Sequence, residues 1–314
     1  MLSLSRLRML RELHRLGTLA EVARALSYTP SAVSQQLSQL ERECRVPLLE
    51  RVGRRVRLTD QALSLVAHTE EVLAQLERAE AELAAASPRV SGTLKVASFQ
   101  TVVLSFAPTA LTLMAGRCPE VDVEITQREV GPAFEGLLSH DFDLILGEEY
   151  PGMPDRVRDG IDRAELLSDP LRLVLPPTGI LSARPQSLAD LADAPWAFDP
   201  SGTMTGAWAR AECRKAGFEP RVRFDTPDPL MHAHLVRTGH AVAFSPALIA
   251  AQHLGGTQIF GLPDDPHRTL FTAVRAGRSD HPAVRAFREC LAEAALTEEA
   301  PAPSLVLAPA DRRA

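Results

Sequence analysis

Four polar side chains recur at helical spacing just after Pro30 and could form hydrogen bonds with the edges of nucleic-acid bases. They are Ser31, Ser34, Gln35 and Ser38. A helix fits the major groove of DNA, where hydroxyl and amide groups present donors and acceptors to base edges. An ordinary helical hairpin with a solvated polar side would show the same spacing. The neighbouring elements must decide between these two interpretations.

Capping residues and apolar spacing predict two short helices that would hold this polar face outward. Thr18 and Glu21 have the spacing of a capping box, so one helix should begin at Thr18 and run to about Leu26. Thr29 and Pro30 then supply a cap residue and a proline at the first position of a second helix. The residues expected to face inward from this second helix are Val33, Leu37, Leu40 and Cys44.

The flanking segments complete a small domain. Four leucines at helical spacing predict a first helix that ends at Gly17: Leu7, Leu10, Leu13 and Leu16. After the pair of helices, residues 47–58 (PLLERVGRRVRL) predict two short strands around a Gly53-Arg54-Arg55 turn. Three helices followed by a two-stranded hairpin form a winged helix-turn-helix. The sequence therefore favours a DNA-binding head.

The charge distribution agrees with this interpretation. Residues 1–58 contain 11 Arg and 5 Glu and carry a formal charge of +6, whereas the remainder of the chain carries −12. Binding to DNA depends on the local patch that meets the phosphates, so the acidic total does not exclude it. The predicted phosphate contacts are the wing residues Arg51, Arg54 and Arg55, with Arg57 beside them. The alternative is a run of solvated charges.

A long helix is predicted after the head. Residues 59–86 contain no glycine or proline, and apolar or small side chains alternate at three and four residues: Ala62, Leu65, Thr69, Val72, Leu76, Ala79 and Leu83. Charged residues flank this stripe, as in helices that pair with another helix. We expect homodimerisation through Leu65, Val72, Leu76 and Leu83. The alternative is a helix that lies on its own domain.

Beyond Gly92, short apolar runs alternate with helical segments, which predicts an α/β body. In its first part, strands are expected at 94–98, 121–125 and 143–147 with helices at 109–115 and 133–138 between them, so this sheet should be parallel. In its second part, strands are expected at 171–175, 196–198, 222–224 and 241–244, with helices at 204–215 and 230–238. A strand at 268–274 and a helix at 282–296 complete the body.

Ligands of open α/β folds bind beyond the carboxyl ends of the strands, and this rule selects a set of loop residues. The candidates are Ser98, Gln100, Thr101, Glu148, Ser201, Thr203 and Thr226. Serine and threonine at such positions can instead be simple helix caps. Acidic residues crowd the same loops: Glu148, Glu149, Asp199, Asp225 and Asp228. They point to an amine-bearing ligand, although solvated loop acids would give the same pattern.

Catalytic and metal-binding motifs do not emerge from the sequence. It contains no GxSxG elbow, no P-loop and no GxGxxG motif, and the four cysteines (Cys44, Cys118, Cys213 and Cys290) are far apart. His232 and His234 are two residues apart, which places them on different sides of a helix and argues against a metal site. We therefore predict no enzymatic activity, no catalytic residue, no cofactor and no metal.

The head residues resemble the LysR-type transcriptional regulators. The motifs that carry this resemblance are Ala23-Arg24-Ala25-Leu26, the recognition-helix segment Pro30 to Gln36, Leu40-Glu41, Pro47 to Arg51 and Leu58-Thr59. The resemblance extends over the chain up to Leu296. The sequence departs from the family pattern at Cys44-Arg45, Leu49 and Gln61-Ala62, which affects the turn before the wing and the start of the long helix.

This resemblance implies an α/β chain with an all-α N-terminal head, a long linker helix and a two-lobed effector domain like the periplasmic binding proteins. The expected boundaries are a winged helix-turn-helix at 1–58, a dimerisation helix and hinge at 59–91, an effector domain at 92–297 and a disordered tail at 298–314. Lobe I would comprise 92–166 and 268–297, and lobe II would comprise 167–267.

The resemblance also implies function and partners. We expect a regulator that binds double-stranded operator DNA as a homodimer or homotetramer and responds to a small-molecule effector between the two lobes. No apolar run approaches the roughly 20 residues that span a bilayer, so a cytoplasmic location without membrane contact is expected. The alternative is a solute-binding or enzymatic α/β protein whose DNA-binding head is of secondary importance.

Overall fold

The computed structural model describes residues 2–52, 55–153, 158, 160–297 and 305–307. The chain forms two compact units. The first comprises Met1–Ser87 together with Arg275–His281, and the second comprises Pro88–Val274 together with Pro282–Ala314. The first unit is mainly helical with a short hairpin, and the second is α/β.

The first unit begins with three helices, α1 (Leu4–Leu16), α2 (Leu19–Ala25) and α3 (Pro30–Cys44), which confirms the three predicted helices. Gly17 ends α1 in the left-handed region, with φ of +77°, where a glycine is favoured. The Thr18 hydroxyl accepts a hydrogen bond from the Glu21 N–H and caps α2. The Thr29 hydroxyl caps α3 by accepting from the Ala32 N–H.

The apolar faces of these helices form one small core. Its most deeply buried members come from all three helices: Met9, Leu10, Leu13, Val22, Val33, Leu37 and Leu40. Cys44 packs against the core but is only half-buried. Because α3 buries one side so completely, its opposite side must face solvent.

A two-stranded antiparallel wing follows, formed by β1 (Leu49–Val52) and β2 (Arg55–Leu58). The Glu41 carboxylate at the end of α3 accepts hydrogen bonds from the backbone N–H groups of Leu48 and Leu49. This carboxylate therefore ties the start of the wing to the end of α3. Gly53 and Arg54 of the predicted turn lie outside the described residues.

The long helix α4 (Asp60–Ala85) begins at the Thr59 cap and has two apolar stripes rather than one. One stripe is buried within the first unit and consists of Ala62, Val66, Thr69, Leu73, Glu77 and Ala81. The other is formed by half-buried Leu65 and by the exposed side chains of Val72, Leu76 and Leu83. The single stripe predicted from the sequence is thus divided between the two, because its members Ala62 and Thr69 belong to the buried stripe.

A short segment near residue 277 packs against the middle of α4 within the first unit. The Arg275 guanidinium donates a hydrogen bond to the Glu77 carboxylate, and both groups are largely buried. A Cβ atom added at Gly277 would lie 2.5 Å from the Ala74 carbonyl oxygen. Glycine is therefore required for this close approach to the helix backbone.

The first part of the second unit confirms the predicted βαβαβ arrangement. The strands β3 (Ser91–Ser98), β4 (Glu120–Gln127) and β5 (Leu144–Glu149) are parallel in the order β4-β3-β5. Their connections contain α5 (Gln100–Leu104), α6 (Ala107–Arg117) and α7 (Val130–Leu138). The carboxyl ends of β3 and β5 consequently lie at the same edge of the sheet.

One strand is much longer than the sequence predicts. β6 (Ile161–Leu175) has 15 residues, whereas only residues 171–175 carry the expected apolar run. Its first half alternates between half-buried and exposed side chains, which hides it among polar residues. It pairs antiparallel with β9 (Ala243–Pro246) and β10 (Gln258–Gly261), so this part of the sheet is mixed.

The remaining elements follow the predicted order with small shifts. β7 (Pro195–Phe198) and β8 (Arg221–Asp225) are parallel, and α8 (Met204–Lys215), α9 (Pro229–Arg237) and α10 (Ala247–His253) lie between the strands of this part. β11 (His267–Arg275) pairs antiparallel with β5, and α11 (Pro282–Leu296) follows. α5, α10 and β10 were not predicted, because all three are very short.

The predicted disorder of the tail is wrong for its described residues. β12 (Leu305–Val306) pairs in parallel with β10, and Leu307 is buried. The apolar Leu305-Val306-Leu307 run explains this, because it adds to a sheet edge and covers apolar surface. Residues 298–304 and 308–314 lie outside the described residues. Among the described residues, no helix has the length and apolarity required to cross a bilayer.

Candidate functional site

The outer face of α3 carries the four polar residues singled out in the sequence. Ser31, Ser34, Gln35 and Ser38 are all exposed. The Ser31 hydroxyl lies 3.0 Å from that of Thr29, whereas the other three side chains have no hydrogen-bond partner within the described part of the chain. The helix therefore presents unused donors and acceptors to solvent.

The wing, whose start is bonded to Glu41 of α3, contains the predicted phosphate contacts. Arg51 lies in β1 and Arg55 in β2, at neighbouring positions of the hairpin, and Arg54 lies outside the described residues. Arg57 in β2 is exposed and pairs with Glu50 at 3.1 Å. An exposed pair of this kind contributes little to stability, so Arg57 can exchange its partner for a phosphate.

A cleft in the second unit lies at the carboxyl ends of β3, β5 and β7. It is narrow, with a cavity volume of about 50 Å³, and it opens to solvent. Its lining comes from loops and strand ends far apart in sequence and comprises Phe99, Gln100, Thr101, Glu129, Glu148, Tyr150, Asp199, Thr205, Pro227, Pro229, His232, Phe244, Ser245, Pro246 and Arg268. This is the edge at which open α/β sheets bind ligands.

A buried arginine organises one wall of the cleft. Arg268, at the start of β11, is 1% exposed. Its Nη1 donates to Glu148 Oε2 at 2.5 Å, and its Nε donates to Asp169 Oδ2 at 2.9 Å. Its Nη2 donates to the Thr101 hydroxyl at 3.0 Å. Burial alone would lower the pKa of Arg268, but the Asp169 and Glu148 carboxylates outweigh it and raise the pKa above its ordinary value.

Three of the seven predicted effector residues line this cleft. Thr101 and Glu148 belong to the arginine network. Gln100 donates a hydrogen bond to Asp228 Oδ1 at 3.1 Å, which joins the loop after β3 to the start of α9. The positions after β3 and β5 are therefore brought together as the topology implies.

The other four predicted residues do not line the cleft, and three of them are held by local hydrogen bonds. The buried Ser98 hydroxyl donates to the Phe99 carbonyl oxygen. Thr203 caps α8 by accepting from the Gly206 N–H, and the Thr226 hydroxyl accepts from the Asp228 N–H. Ser201 is exposed in the turn after β7. Three of these side chains are thus engaged in local hydrogen bonds.

Sequence reasoning missed several lining residues, above all Arg268, Tyr150 and His232. Arg268 and Thr101 are 167 residues apart in sequence, so no local pattern connects them. One signal was available, because Arg268 and Asp169 each border a strongly apolar strand segment. Charged residues at such positions are almost never buried unless they are paired, so the two could have been sought as partners.

The carboxylates of the cleft have perturbed ionisation. Burial, reinforced by the nearby Glu148 and Glu129 charges, raises the pKa of Asp199 to about 7. Burial followed by the Glu148 charge also raises the pKa of Glu129. Burial lowers the pKa of His232, whose Nδ1 lies 3.9 Å from Asp199 Oδ2. The cleft thus favours uncharged forms of groups that would ordinarily be ionised or partly ionised at neutral pH.

Asp199→Asn should stabilise the second unit at pH 8 but much less at pH 5. The wild-type folded state keeps a proton on Asp199 that the unfolded state loses, so stability falls as pH rises from about 4 to about 7. Asparagine does not titrate and so avoids this loss. The free energy of unfolding at pH 8 should therefore rise by on the order of 2 to 4 kcal/mol, at about 1.4 kcal/mol per pKa unit. Urea unfolding followed by tryptophan fluorescence measures it, because Trp196 and Trp208 both belong to this unit.

The exposed residue Asp122 on β4 provides the matched control. Asp122→Asn should change the free energy of unfolding by less than about 0.5 kcal/mol at either pH. If Asp199→Asn shows the same small effect at pH 8, then the carboxylate is solvated in the folded state and its raised pKa is not real.

Comparison with known proteins gives a match for both the helical head and the α/β body. Residues 4–63 match the family described as "Bacterial regulatory helix-turn-helix protein, lysR family". Residues 87–296 match the "LysR substrate binding domain". These two matches cover most of the chain.

Curated relatives are transcriptional regulators. The chain is 28% identical over 175 residues to a probable RuBisCO transcriptional regulator of Emiliania huxleyi, a match that covers 55% of each chain. It is 31% identical over 143 residues to the regulator CbbR of Xanthobacter flavus, covering 45% of this chain and 43% of CbbR. The chain thus spans about half the length of these relatives. A match to GbpR of Rhizobium radiobacter, at 26% identity, covers 76% of this chain and 80% of GbpR.

Solved structures share the fold over nearly the whole chain. A full-length OxyR variant from Pseudomonas aeruginosa has a TM-score of 0.63 at 19% identity and covers 96% of this chain and 99% of its own. A second structure is that of CbnR, a LysR family transcriptional regulator, in complex with its target DNA. It has a TM-score of 0.51 at 22% identity and covers 94% of this chain and 100% of CbnR.

The helix-turn-helix head and the α/β body each match a domain of the same family. The two matches follow each other along the chain, at residues 4–63 and 87–296. The chain belongs to the LysR family of bacterial transcriptional regulators.

Proposed function

We propose that this regulator reads operator DNA with the outer face of α3 and grips the phosphate backbone with its wing. The observation that carries the proposal is the exposed, unpartnered polar face of Ser34, Gln35 and Ser38 together with an arginine-rich hairpin. The Ser31 hydroxyl and the side chains of Arg51, Arg54 and Arg55 complete the proposed interface. The similar fold of CbnR, solved with its target DNA, supports this mode of binding.

The proposed assembly is a homodimer or homotetramer joined through α4. Val72, Leu76 and Leu83 of its second apolar stripe are exposed, while Leu65 at the start of this stripe is half-buried against the head core. Exposed apolar stripes along a helix are typical of surfaces that pair with another helix. Two heads held together in this way would address two half-sites of an operator.

The proposed organisation retains the boundaries expected from the sequence. Residues 1–58 form the DNA-binding head, 59–91 the dimerisation helix and hinge, and 92–297 the effector domain. The change of compact unit at Ser87 and Pro88 supports a hinge in this region. We place the working protein in the cytoplasm, where it would meet its operator.

The effector is proposed to be a small molecule that binds in the cleft beside Gln100, Thr101 and Glu148. Convergence of these side chains with Asp199 and His232 at the carboxyl edge of the strands supports this role. A ligand can shift the regulator between states only if it binds one of them more tightly. Electrophoretic mobility shifts with the DNA upstream of the gene, with and without candidate ligands, test the proposal as a whole.

Gln35→Ala should reduce operator preference without affecting general DNA affinity. Each lost bidentate contact to a base costs about 1 to 3 kcal/mol of discrimination. Competition gel shifts with operator and unrelated duplexes measure this preference. The matched control is Gln186→Ala, because Gln186 is an exposed glutamine in the second unit. An unchanged footprint and affinity for Gln35→Ala would exclude the outer face of α3 as the reading surface.

Arg54→Ala should have the complementary effect. Loss of a phosphate contact weakens binding to operator and unrelated DNA alike and reduces the salt dependence by about one phosphate charge. Titrations at several salt concentrations measure the slope. A loss restricted to the operator would assign Arg54 to base reading instead, and an unchanged slope would remove it from the interface.

A further inference from the structure

The cleft of the second unit carries more negative than positive charge. We propose that the effector of this regulator is a small organic cation, an amine whose ammonium group is held between the Asp199 and Glu129 carboxylates. This inference rests on the proposed role of the cleft as the effector site, and it adds the chemical class of the ligand. Four observations carry it: the charge pairing, the aromatic walls, an unpartnered histidine nitrogen and the absence of a metal-type cluster.

The positive charge in the lining is already neutralised. The guanidinium of Arg268 is paired with Glu148 on one side and with the buried Asp169 on the other. These two carboxylates outnumber the single arginine. Arg268 therefore has no unsatisfied charge to offer to an anionic ligand.

Asp199 and Glu129 lack such pairing. Within the described part of the chain, neither carboxylate forms an ion pair with a lysine or arginine, and the Nδ1 of His232 lies 3.9 Å from Asp199 Oδ2. Arg210 approaches Asp199 only through the backbone, where its Nη1 donates to the Asp199 carbonyl oxygen at 2.8 Å. A ligand ammonium group would supply the missing charge and donate hydrogen bonds to these acceptors.

The walls of the cleft suit a cation with an apolar body. Phe99, Tyr150 and Phe244 line it together with Pro227, Pro229 and Pro246. Phe244 is fixed by neighbouring rings, because its centroid lies 5.1 Å from that of Trp196 and 5.3 Å from that of Trp208. Rigid aromatic faces attract cations and bury the hydrocarbon part of an amine.

One nitrogen of a buried histidine provides an independent indication of a ligand. His232 lines the cleft, and only 7% of its surface is exposed. Its Nε2 has no hydrogen-bond partner among the described residues. Buried polar atoms of this kind are nearly always satisfied, so a missing partner is informative. A hydroxyl, amide or amine group of the ligand would complete its hydrogen bonding.

A metal ion is a poorer match than an organic cation. The described residues contain no group of three or more histidine, cysteine, aspartate or glutamate side chains placed to hold a metal. The lining also contains aromatic and proline side chains, which are not metal ligands. An organic ligand with a localised positive charge fits this lining.

Binding of an amine should depend on pH. The titratable and charged groups that face Asp199 are Glu129, Glu148, Tyr150, His232, Arg268 and, through its contact with the Asp199 backbone, Arg210. With its pKa near 7, Asp199 is about one-tenth ionised at pH 6 and about nine-tenths ionised at pH 8. An ammonium group binds the ionised form, so its affinity should be about tenfold higher at pH 8 than at pH 6.

The test compares matched small molecules by thermal shift and then by calorimetry on the full chain. The probes are benzylamine, phenethylamine, butylamine and 1,4-diaminobutane, each beside the carboxylate or alcohol of similar shape, with magnesium and zinc chloride as metal arms. We expect amines to raise the melting temperature while the acids, alcohols and metals do not. The best amine should bind about tenfold more tightly at pH 8 than at pH 6.

Variants locate the binding site. Asp199→Asn should weaken the amine at pH 8 by at least about tenfold and remove the difference between pH 6 and pH 8. Asp122→Asn, with the same chemical change at an exposed position, should bind like the wild type. The neutral side chain at 199 suits the buried site, so the variant should fold, and its unliganded melting temperature verifies this.

Several results would overturn the proposal. They are stabilisation by the acids or metals in place of the amines, no stabilisation by any amine, and equal amine affinity in Asp199→Asn and wild type. Gel shifts with the upstream DNA on the same preparations measure whether amine binding changes DNA binding. They therefore test the proposed regulatory function separately from the class of the ligand. Amine binding without an effect on DNA would retain the site and reject its regulatory role, whereas DNA binding that responds only to anions would reject the cation.

Discussion

Arg268→Met is expected to lower the free energy of unfolding of the second unit by about 3 to 5 kcal/mol. The substitution removes the partner of two carboxylates, Asp169 and Glu148, both of which are buried. A buried charge without a partner must either stay ionised at high cost or take up a proton. Urea unfolding followed by the fluorescence of the two tryptophans, both in this unit, measures the loss.

A control and a rescue show whether the loss comes from the buried charges. Arg221→Met changes an exposed arginine of β8 in the same unit and should alter stability by less than about 0.5 kcal/mol. Adding Asp169→Asn and Glu148→Gln to Arg268→Met should recover much of the loss, because no unpaired charge then remains buried. Equal stability of Arg268→Met and wild type would mean that water reaches the carboxylates in the folded state.

Helix α3 could be predicted from sequence because every signal for it is local. Thr18 with Glu21, and Thr29 with Pro30, are capping pairs within a few residues of each other, and the structure shows both caps formed. The inward positions Val33, Leu37 and Leu40 follow the helical period and are fully buried. Local capping and periodicity therefore determine which face of α3 points outward.

The cleft could be predicted only in part because its contacts are long-range. The carboxyl-end rule placed Gln100, Thr101 and Glu148 correctly at its lining, since that rule depends only on strand order. The arginine network depends on pairing between β11 and residues more than a hundred positions away. No spacing in the chain encodes that pairing, and the polar first half of β6 concealed the strand that carries Asp169.

The sequence of α4 does not show which side of the helix is covered by its own domain. The reason is that a helix with two apolar stripes gives overlapping periodicities. Val66 is 6% exposed and packs in the core of the head, whereas Leu76 is 44% exposed. A helix that lay only on its own domain would not need the second stripe. This division provides a direct test of the proposed assembly.

Leu76→Asp is expected to break the oligomer while leaving the head folded. In a symmetric interface the substitution places an unpaired carboxylate against the partner helix twice. Because burying such a charge costs several kcal/mol and each 1.4 kcal/mol is a factor of ten, the dissociation constant should rise by at least about 100-fold. Sedimentation velocity or light scattering measures particle size, and circular dichroism checks that the helices persist.

Two further variants of α4 make the result decisive. Val66→Asp puts the same charge into the head core and should reduce helicity and thermal stability, an outcome distinct from dissociation. Ser64→Asp adds the carboxylate at an exposed position outside the heptad seam and should leave both oligomer and fold unchanged. A Leu76→Asp protein that remained fully oligomeric would assign the association to another surface, and the exposed stripe of α4 would then require a different partner.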